Sequence, residues 1–241
     1  MRDARERRRQ KRALIEGEHL VEAFLDSGKS IEELILSKTG GEKFDSLAKR
    51  SRKTPVLLAD SVFGSIADTE APAGIAAEIA LPSSGPDLKT SKGCVFLEGI
   101  QDAGNVGAIL RSAAAFGIEN AVLGRGCADA WSPKVLRAAM GAHFVMEIQG
   151  SADLVDAIKR FGGRVACTVA RGGVALQDVD LSGRIGWIFG AEGQGVSAAL
   201  AARAQLQVTI PMPGRAESLN VAAAAAICLY VAACRRDRKV R

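Results

Sequence analysis

From residue 94 to residue 233, short apolar runs alternate with helix-like segments, and that alternation narrows the architecture to one class. Strands are expected over 94–97, 121–123, 144–148, 165–169, 185–189 and 208–210. Helices are expected over 106–116, 133–140, 152–161 and 218–233. Strands joined through helices run parallel, and a parallel sheet has to be covered on both faces. Its filling must be aliphatic, because 48% of the chain is hydrophobic while only 5% is aromatic. The expected fold is therefore α/β, a mostly parallel sheet with helices on both faces.

The first third reads differently. Leu14, Leu20, Val21, Phe24 and Leu25 approximate a helical stripe over 13–25, stopped at Gly28. Strands over 31–36, 55–58 and 74–81, with helices over 44–50 and 62–66, make a small α/β unit. Pro82, Ser83, Ser84, Gly85, Pro86 and Asp87 have no periodicity and mark a linker. The resulting division is a basic flexible arm (1–12), a small domain (13–82), a linker (83–91) and a larger domain (92–241).

Charge is concentrated at the ends. Residues 1–12 carry Arg2, Arg5, Arg7, Arg8, Arg9, Lys11 and Arg12 against Asp3 and Glu6. Residues 235–241 carry Arg235, Arg236, Arg238, Lys239 and Arg241 against Asp237, although the whole chain is only +5. Such ends suit contact with a polyanion and equally suit plain solubilising tails. No apolar run is long enough to span a bilayer, and the first residues lack the apolar stretch of a signal peptide, so a cytoplasmic protein is expected. The five cysteines are scattered without a Cys-x-x-Cys pair, and His19 and His143 lie far apart, so neither a metal site nor a disulfide framework is expected.

Three segments combine turn residues with polar groups at strand–helix junctions. The first is Asn105-Val106-Gly107-Ala108-Ile109-Leu110-Arg111, preceded by Asp102 just beyond the 94–97 strand. Ligands of open parallel sheets gather at that end of the strands. Asn105 is expected as the helix cap, and Arg111 as a group for phosphate or ribose. The second, Gly190-Ala191-Glu192-Gly193-Gln194-Gly195, matches neither the dinucleotide fingerprint nor the phosphate loop. Its glycines allow a ligand close to backbone, and Glu192 suits a cationic sulfonium or a ribose hydroxyl. The third runs Ile210-Pro211-Met212-Pro213-Gly214, then Glu217-Ser218-Leu219-Asn220-Val221, into an alanine-rich helix. Each segment alone also fits an ordinary cap, turn or packing helix.

Taken together and in this order, the three segments resemble the signature motifs of the SpoU (TrmH) family of SPOUT methyltransferases, over about residues 92–234. The resemblance implies a C-terminal trefoil knot and a homodimer. It implies an S-adenosylmethionine-dependent transfer to a ribose 2′-hydroxyl of RNA, without a metal. Functional positions carry over onto Asn105, Arg111, Glu192, Ser218 and Asn220. Donor contacts carry over onto Gly190, Glu192, Gly193, Ile210, Met212, Ser218, Leu219 and Asn220. The segment from Glu16 to Ile75 is similar to the ribosomal-protein-like RNA-binding domain found ahead of many family members, which favours ribosomal RNA of the large subunit over tRNA. A tRNA methyltransferase and a catalytically silent RNA-binding or ribosome-assembly protein remain the alternatives. Two departures stand out: Ala222 where a serine commonly follows, and Ala103-Gly104 where a proline is usual.

Overall fold

The computed structural model describes residues 3–237. The chain opens with α1 (Ala4–Gln10), β1 (Arg12–Glu16), α2 (Glu18–Asp26), β2 (Glu33–Ser37), α3 (Lys38–Lys43), α4 (Asp45–Ser51), β3 (Val56–Leu58), α5 (Asp60–Ile66) and β4 (Ile75–Ala80). These strands form a sheet in the order β1-β4-β2-β3, with β4 antiparallel to β1 and β2, and β2 parallel to β3.

Two expectations for this half need correction. The helix read over 13–25 is two elements. Ala13 and Ile15 are buried while their neighbours are partly exposed, the period of a strand, and β1 pairs with β4. Gly17, at a φ of 96°, turns the chain into α2, whose Leu20, Val21 and Phe24 are buried. The strand partner lies more than sixty positions along the chain, so local periodicity could not reveal it. The basic segment expected as a flexible arm is a helix from residue 4. Asp3 accepts the Arg5 N–H at its start, and Arg7, only 3% exposed, reaches Asp129 at 2.5 Å. Of the C-terminal basic cluster, residues 238–241 lie outside the described residues.

The second half contains β5 (Gly93–Glu98), α6 (Ala103–Ala115), β6 (Asn120–Gly124), α7 (Pro133–Ala139), β7 (Glu147–Ala152), α8 (Leu154–Arg160), β8 (Arg164–Thr168) and β9 (Val174–Ala175). It ends with β10 (Ile185–Gly190), α9 (Ala198–Ala201), β11 (Leu206–Thr209) and α10 (Val221–Asp237). Its seven strands are all parallel, in the order β7-β6-β5-β10-β8-β11-β9. Alternation sends Val95, Leu97, Trp187 and Phe189 into one core with α6, α7 and α10. Cys94, Phe96 and Ile188 face the other core with α8. Because β10 inserts between β5 and β8, the loops after β5 and β10 become neighbours at the carboxyl ends of the strands.

The expected strand over 144–148 is displaced. Ala142–Phe144 is a 3-10 turn and the strand runs over Glu147–Ala152. Phe144 instead joins the core of the first sheet, its ring 5.1 Å from Phe24 in an edge-on arrangement. Leu136 of α7 joins the same core, and Arg137 pairs with Asp68 at 2.7 Å. The linker read over 83–91 is also engaged. Leu88 is buried beside Phe96 and Phe161, and Arg184 donates to the carbonyls of Lys89 and Ser91 at 2.6 and 2.7 Å. The segment is thereby fastened to the second half through one apolar side chain and its backbone carbonyls.

Candidate active site

The polar centre sits where three loops meet. Glu192, in the loop after β10, uses one carboxylate oxygen to accept hydrogen bonds from the side-chain amides of Asn105 (2.9 Å) and Asn220 (2.7 Å). Asn220 also donates to Oδ1 of Asn105 at 2.9 Å, closing a triangle.

Each corner has a local cause. Asn105 lies in the first turn of α6, and the expectation that it caps the helix is corrected: the cap is Asp102, whose Oδ1 accepts the Asn105 N–H at 2.7 Å. The sequence contained that signal, an aspartate three residues ahead. Helix α6 lies close on α7 because residue 107 is glycine; a Cβ there would sit 2.4 Å from the Cβ of Ala138. Helix α10 begins at Val221, three residues after the expected start, so Ser218, Leu219 and Asn220 belong to the loop. Asn220 caps it, its Oδ1 accepting the N–H groups of Ala222 (2.9 Å) and Ala223 (3.3 Å).

The loop after β10 folds back on itself. The Gly195 N–H donates to the Ala191 carbonyl at 2.8 Å, and Gly193 and Gly195 take positive φ. A Cβ on Gly190 would lie 2.0 Å from the Gly195 carbonyl oxygen. Glu98, at the end of β5, holds the far end of the loop by accepting the Ser197 N–H at 2.8 Å. Neither Gly107 nor Glu98 was singled out in the sequence, because their roles depend on elements distant along the chain.

A cleft of about 570 Å³ opens on one side of the triangle, between Gly190, Glu192 and Gly193 and the loop bearing Ile210, Met212, Ser218, Leu219 and Asn220. Thr168 at the end of β8, with Val169 and Ala170 just after it, closes the cleft, residues the sequence did not flag. A second cleft of about 550 Å³ lies on the other side, lined by Glu98, Gln101, Asp102, Asn105, Glu192 and Gln194 among others. The triangle is the partition between them.

Arg111 is not part of either cleft. It is exposed on α6, six residues beyond Asn105, which places it roughly 120° around the helix axis from Asn105. Thiol chemistry finds little support: burial raises Cys94, Cys127, Cys167 and Cys228, the last to about 12. His143 is structural, with its Nε2 2.6 Å from the Ala130 carbonyl.

Comparison with known proteins shows the family and the fold. Residues 92–230 match the SpoU rRNA Methylase family, and residues 1–77 match the MRM3-like substrate binding domain. The chain is 36% identical to the Bacillus subtilis 23S rRNA (guanosine(2553)-2′-O)-methyltransferase RlmP, over 94% of this chain and 90% of that protein. An AdoMet-bound rRNA methyltransferase from Sinorhizobium meliloti superposes with a TM-score of 0.82 at 26% identity, covering 97% of this chain and 91% of the other. The A. aeolicus TrmH/SpoU tRNA modifying enzyme, 26% identical, reaches a TM-score of 0.55, covering 64% of this chain and 79% of that one. The chain belongs to the SpoU rRNA methylase family.

Proposed function

We propose that this protein transfers a methyl group from S-adenosylmethionine to a ribose 2′-hydroxyl in ribosomal RNA of the large subunit, acting as a cytoplasmic homodimer. The observation that carries the reading is the Asn105–Glu192–Asn220 triangle standing between two clefts, one for the donor and one for the acceptor. The first cleft fits the donor. Gly190 and Gly193 admit a ligand against backbone, while Ile210, Met212 and Leu219 give an apolar wall for an adenine ring. Relatives named as rRNA 2′-O-methyltransferases and an AdoMet-bound neighbour support the same assignment.

S-adenosylmethionine supplies an electrophilic methyl on a positively charged sulfur. Glu192 sets negative charge at the partition, which favours a cationic donor. Asn105 and Asn220 hold that carboxylate in place, and Ser218 offers a hydroxyl to a polar part of the donor. In this reading the Arg111 guanidinium stabilises the negative charge that develops on the attacking ribose oxygen, while holding the adjoining phosphate. Alignment across the partition contributes much of the rate.

Arg111 lies off its own chain's clefts, so it serves the site of the second protomer. Helix α10 packs on α6 and exposes Ala223, Ile227 and Tyr230 on one face, with Tyr230 57% exposed and its ring 5.7 Å from Phe116. An apolar stripe on α10, the helix packed on the one that carries Arg111, suits a helix of a second copy. The passage of residues 210–220 beside the Gly190 loop is read as the threading of a trefoil knot.

The test is to map ribose methylation in total RNA from a deletion strain. Loss of one 2′-O-methyl mark in large-subunit rRNA, restored by the purified protein with S-adenosylmethionine, is the expected result. Loss confined to tRNA overturns the target, and no loss in any RNA overturns the activity.

A further inference from the structure

Helix α1 opens the N-terminal half, yet it is fastened to the other half. The buried guanidinium of Arg7 pairs with Asp129, in the loop after β6, and Arg8 donates to the Ser151 hydroxyl of β7 at 3.3 Å. A buried arginine is tolerated only where it is paired, so this contact seats the helix. Between α1 and the ends of β6 and β7 lies a hollow of about 400 Å³, lined by Arg8, Gly124, Cys127, Trp131 and Ser151 among others.

That hollow continues toward the reaction centre. Gly124 borders it and also a smaller hollow of about 280 Å³ that holds Arg125, Asp153 and Glu98. Glu98 and Ser197 border the smaller hollow and also the acceptor cleft at the Asn105–Glu192 partition. The three spaces follow the carboxyl ends of β5, β6 and β7, where open parallel sheets bind ligands.

The charge pattern says what could lie there. The lining is acidic, with Glu98 and Asp129 half-buried and Asp102 and Asp153 exposed, but these carboxylates are occupied. Asp129 is paired with Arg7, Asp102 and Asp153 each accept a helix N–H, and Glu98 accepts the Ser197 N–H. The remaining carboxylate oxygens suit amino and hydroxyl donors, not phosphates. Two exposed cations line these hollows, Arg8 the larger and Arg125 the smaller, and neither has a carboxylate partner among the described residues. A duplex would present phosphates toward these carboxylates. A single strand turns base edges and ribose hydroxyls inward and leaves its phosphates to the two arginines.

We propose that this trough, walled by α1, holds the unpaired RNA strand next to the target nucleotide, with phosphates on Arg8 and Arg125 and base edges over Glu98 and Asp102. The proposal rests on the methyltransferase reading above and adds the strand's path and its single-stranded character.

The test measures binding of a short mixed-sequence single-stranded RNA, and of the same sequence as a duplex, to the full chain over a series of salt concentrations. The variant is Arg8→Ala with Arg125→Ala, both exposed and outside the donor cleft. Expected are a wild-type preference for the single strand, a loss of about tenfold in the variant, and a salt slope smaller by about 1.4, two single-strand phosphate contacts. Affinity for S-adenosylhomocysteine stays at the wild-type value, which certifies the fold. Unchanged single-strand binding in the variant, or duplex binding at least as tight and equally dependent on the two arginines, overturns the trough while leaving the activity standing. A wild-type protein that binds no S-adenosylhomocysteine and methylates no RNA overturns both.

Discussion

Asn220 donates its side-chain amide to Asn105 at 2.9 Å across 115 positions of sequence, tying the start of α10 to the start of α6. Both then share one oxygen of Glu192, so the carboxylate that faces the donor cleft is held from two helices.

Replacing Glu192 by Gln preserves an oxygen that both asparagines can bond but removes the charge. Affinity for S-adenosylmethionine should fall about two- to fivefold, the size of an exposed charge contact. Affinity for S-adenosylhomocysteine, whose sulfur is neutral, should not change. Calorimetry with both ligands decides, and an equal loss for the two would remove the electrostatic role of Glu192.

Gly190→Ala places a methyl 2.0 Å from the Gly195 carbonyl, so the loop cannot keep its fold. Overpacking of this kind costs about 1–3 kcal/mol. Donor binding should be lost with only a modest fall in melting temperature, because the strain falls on one loop. Normal donor affinity in a soluble Gly190→Ala protein would contradict the backbone-lined cleft.

Arg111→Ala should keep donor affinity while turnover falls at least a hundredfold, as expected for a lost transition-state contact. If Arg111 serves the partner's site, co-expressing Arg111→Ala with Asn220→Ala yields mixed dimers with one intact site, and activity returns. Mixed dimers as inactive as either parent would place Arg111 in its own chain's site.

His143 is buried, and burial lowers its pKa from 6.5 to about 4. The unfolded chain therefore binds a proton that the folded one refuses between those values. Its contribution is complete above pH 6.5 and is lost as pH falls toward 4, up to about 3 kcal/mol. His143→Gln, whose amide can still donate to the Ala130 carbonyl, should flatten that part of the acid limb in denaturant titrations. An unaltered limb would show that other groups carry it.

The alternation from 94 onward was enough to predict the parallel sheet, because strands buried on both faces must be apolar throughout, as β5, β6 and β10 are. Errors fell where a residue's partner is remote. Ala13 and Ile15 belong to β1 only because β4 arrives later, and Phe144 leaves the expected strand because the other half offers it Phe24. The basic start reads as an arm until Asp129 appears beneath Arg7.

Local chemistry along the chain determined most elements of the larger half, the glycine-dependent turn at 190–195 and the residue types able to meet a sulfonium and a ribose. Those depend on neighbours within a turn or two, which a linear reading contains. Only the tertiary structure decided that Asn105, Glu192 and Asn220 share a partition and that α1 is fastened to the far half. It also decided that Arg111, although exposed on α6, lines neither cleft. Strand order sets those relations, and the insertion of β10 between β5 and β8 is a long-range contact that no local pattern encodes.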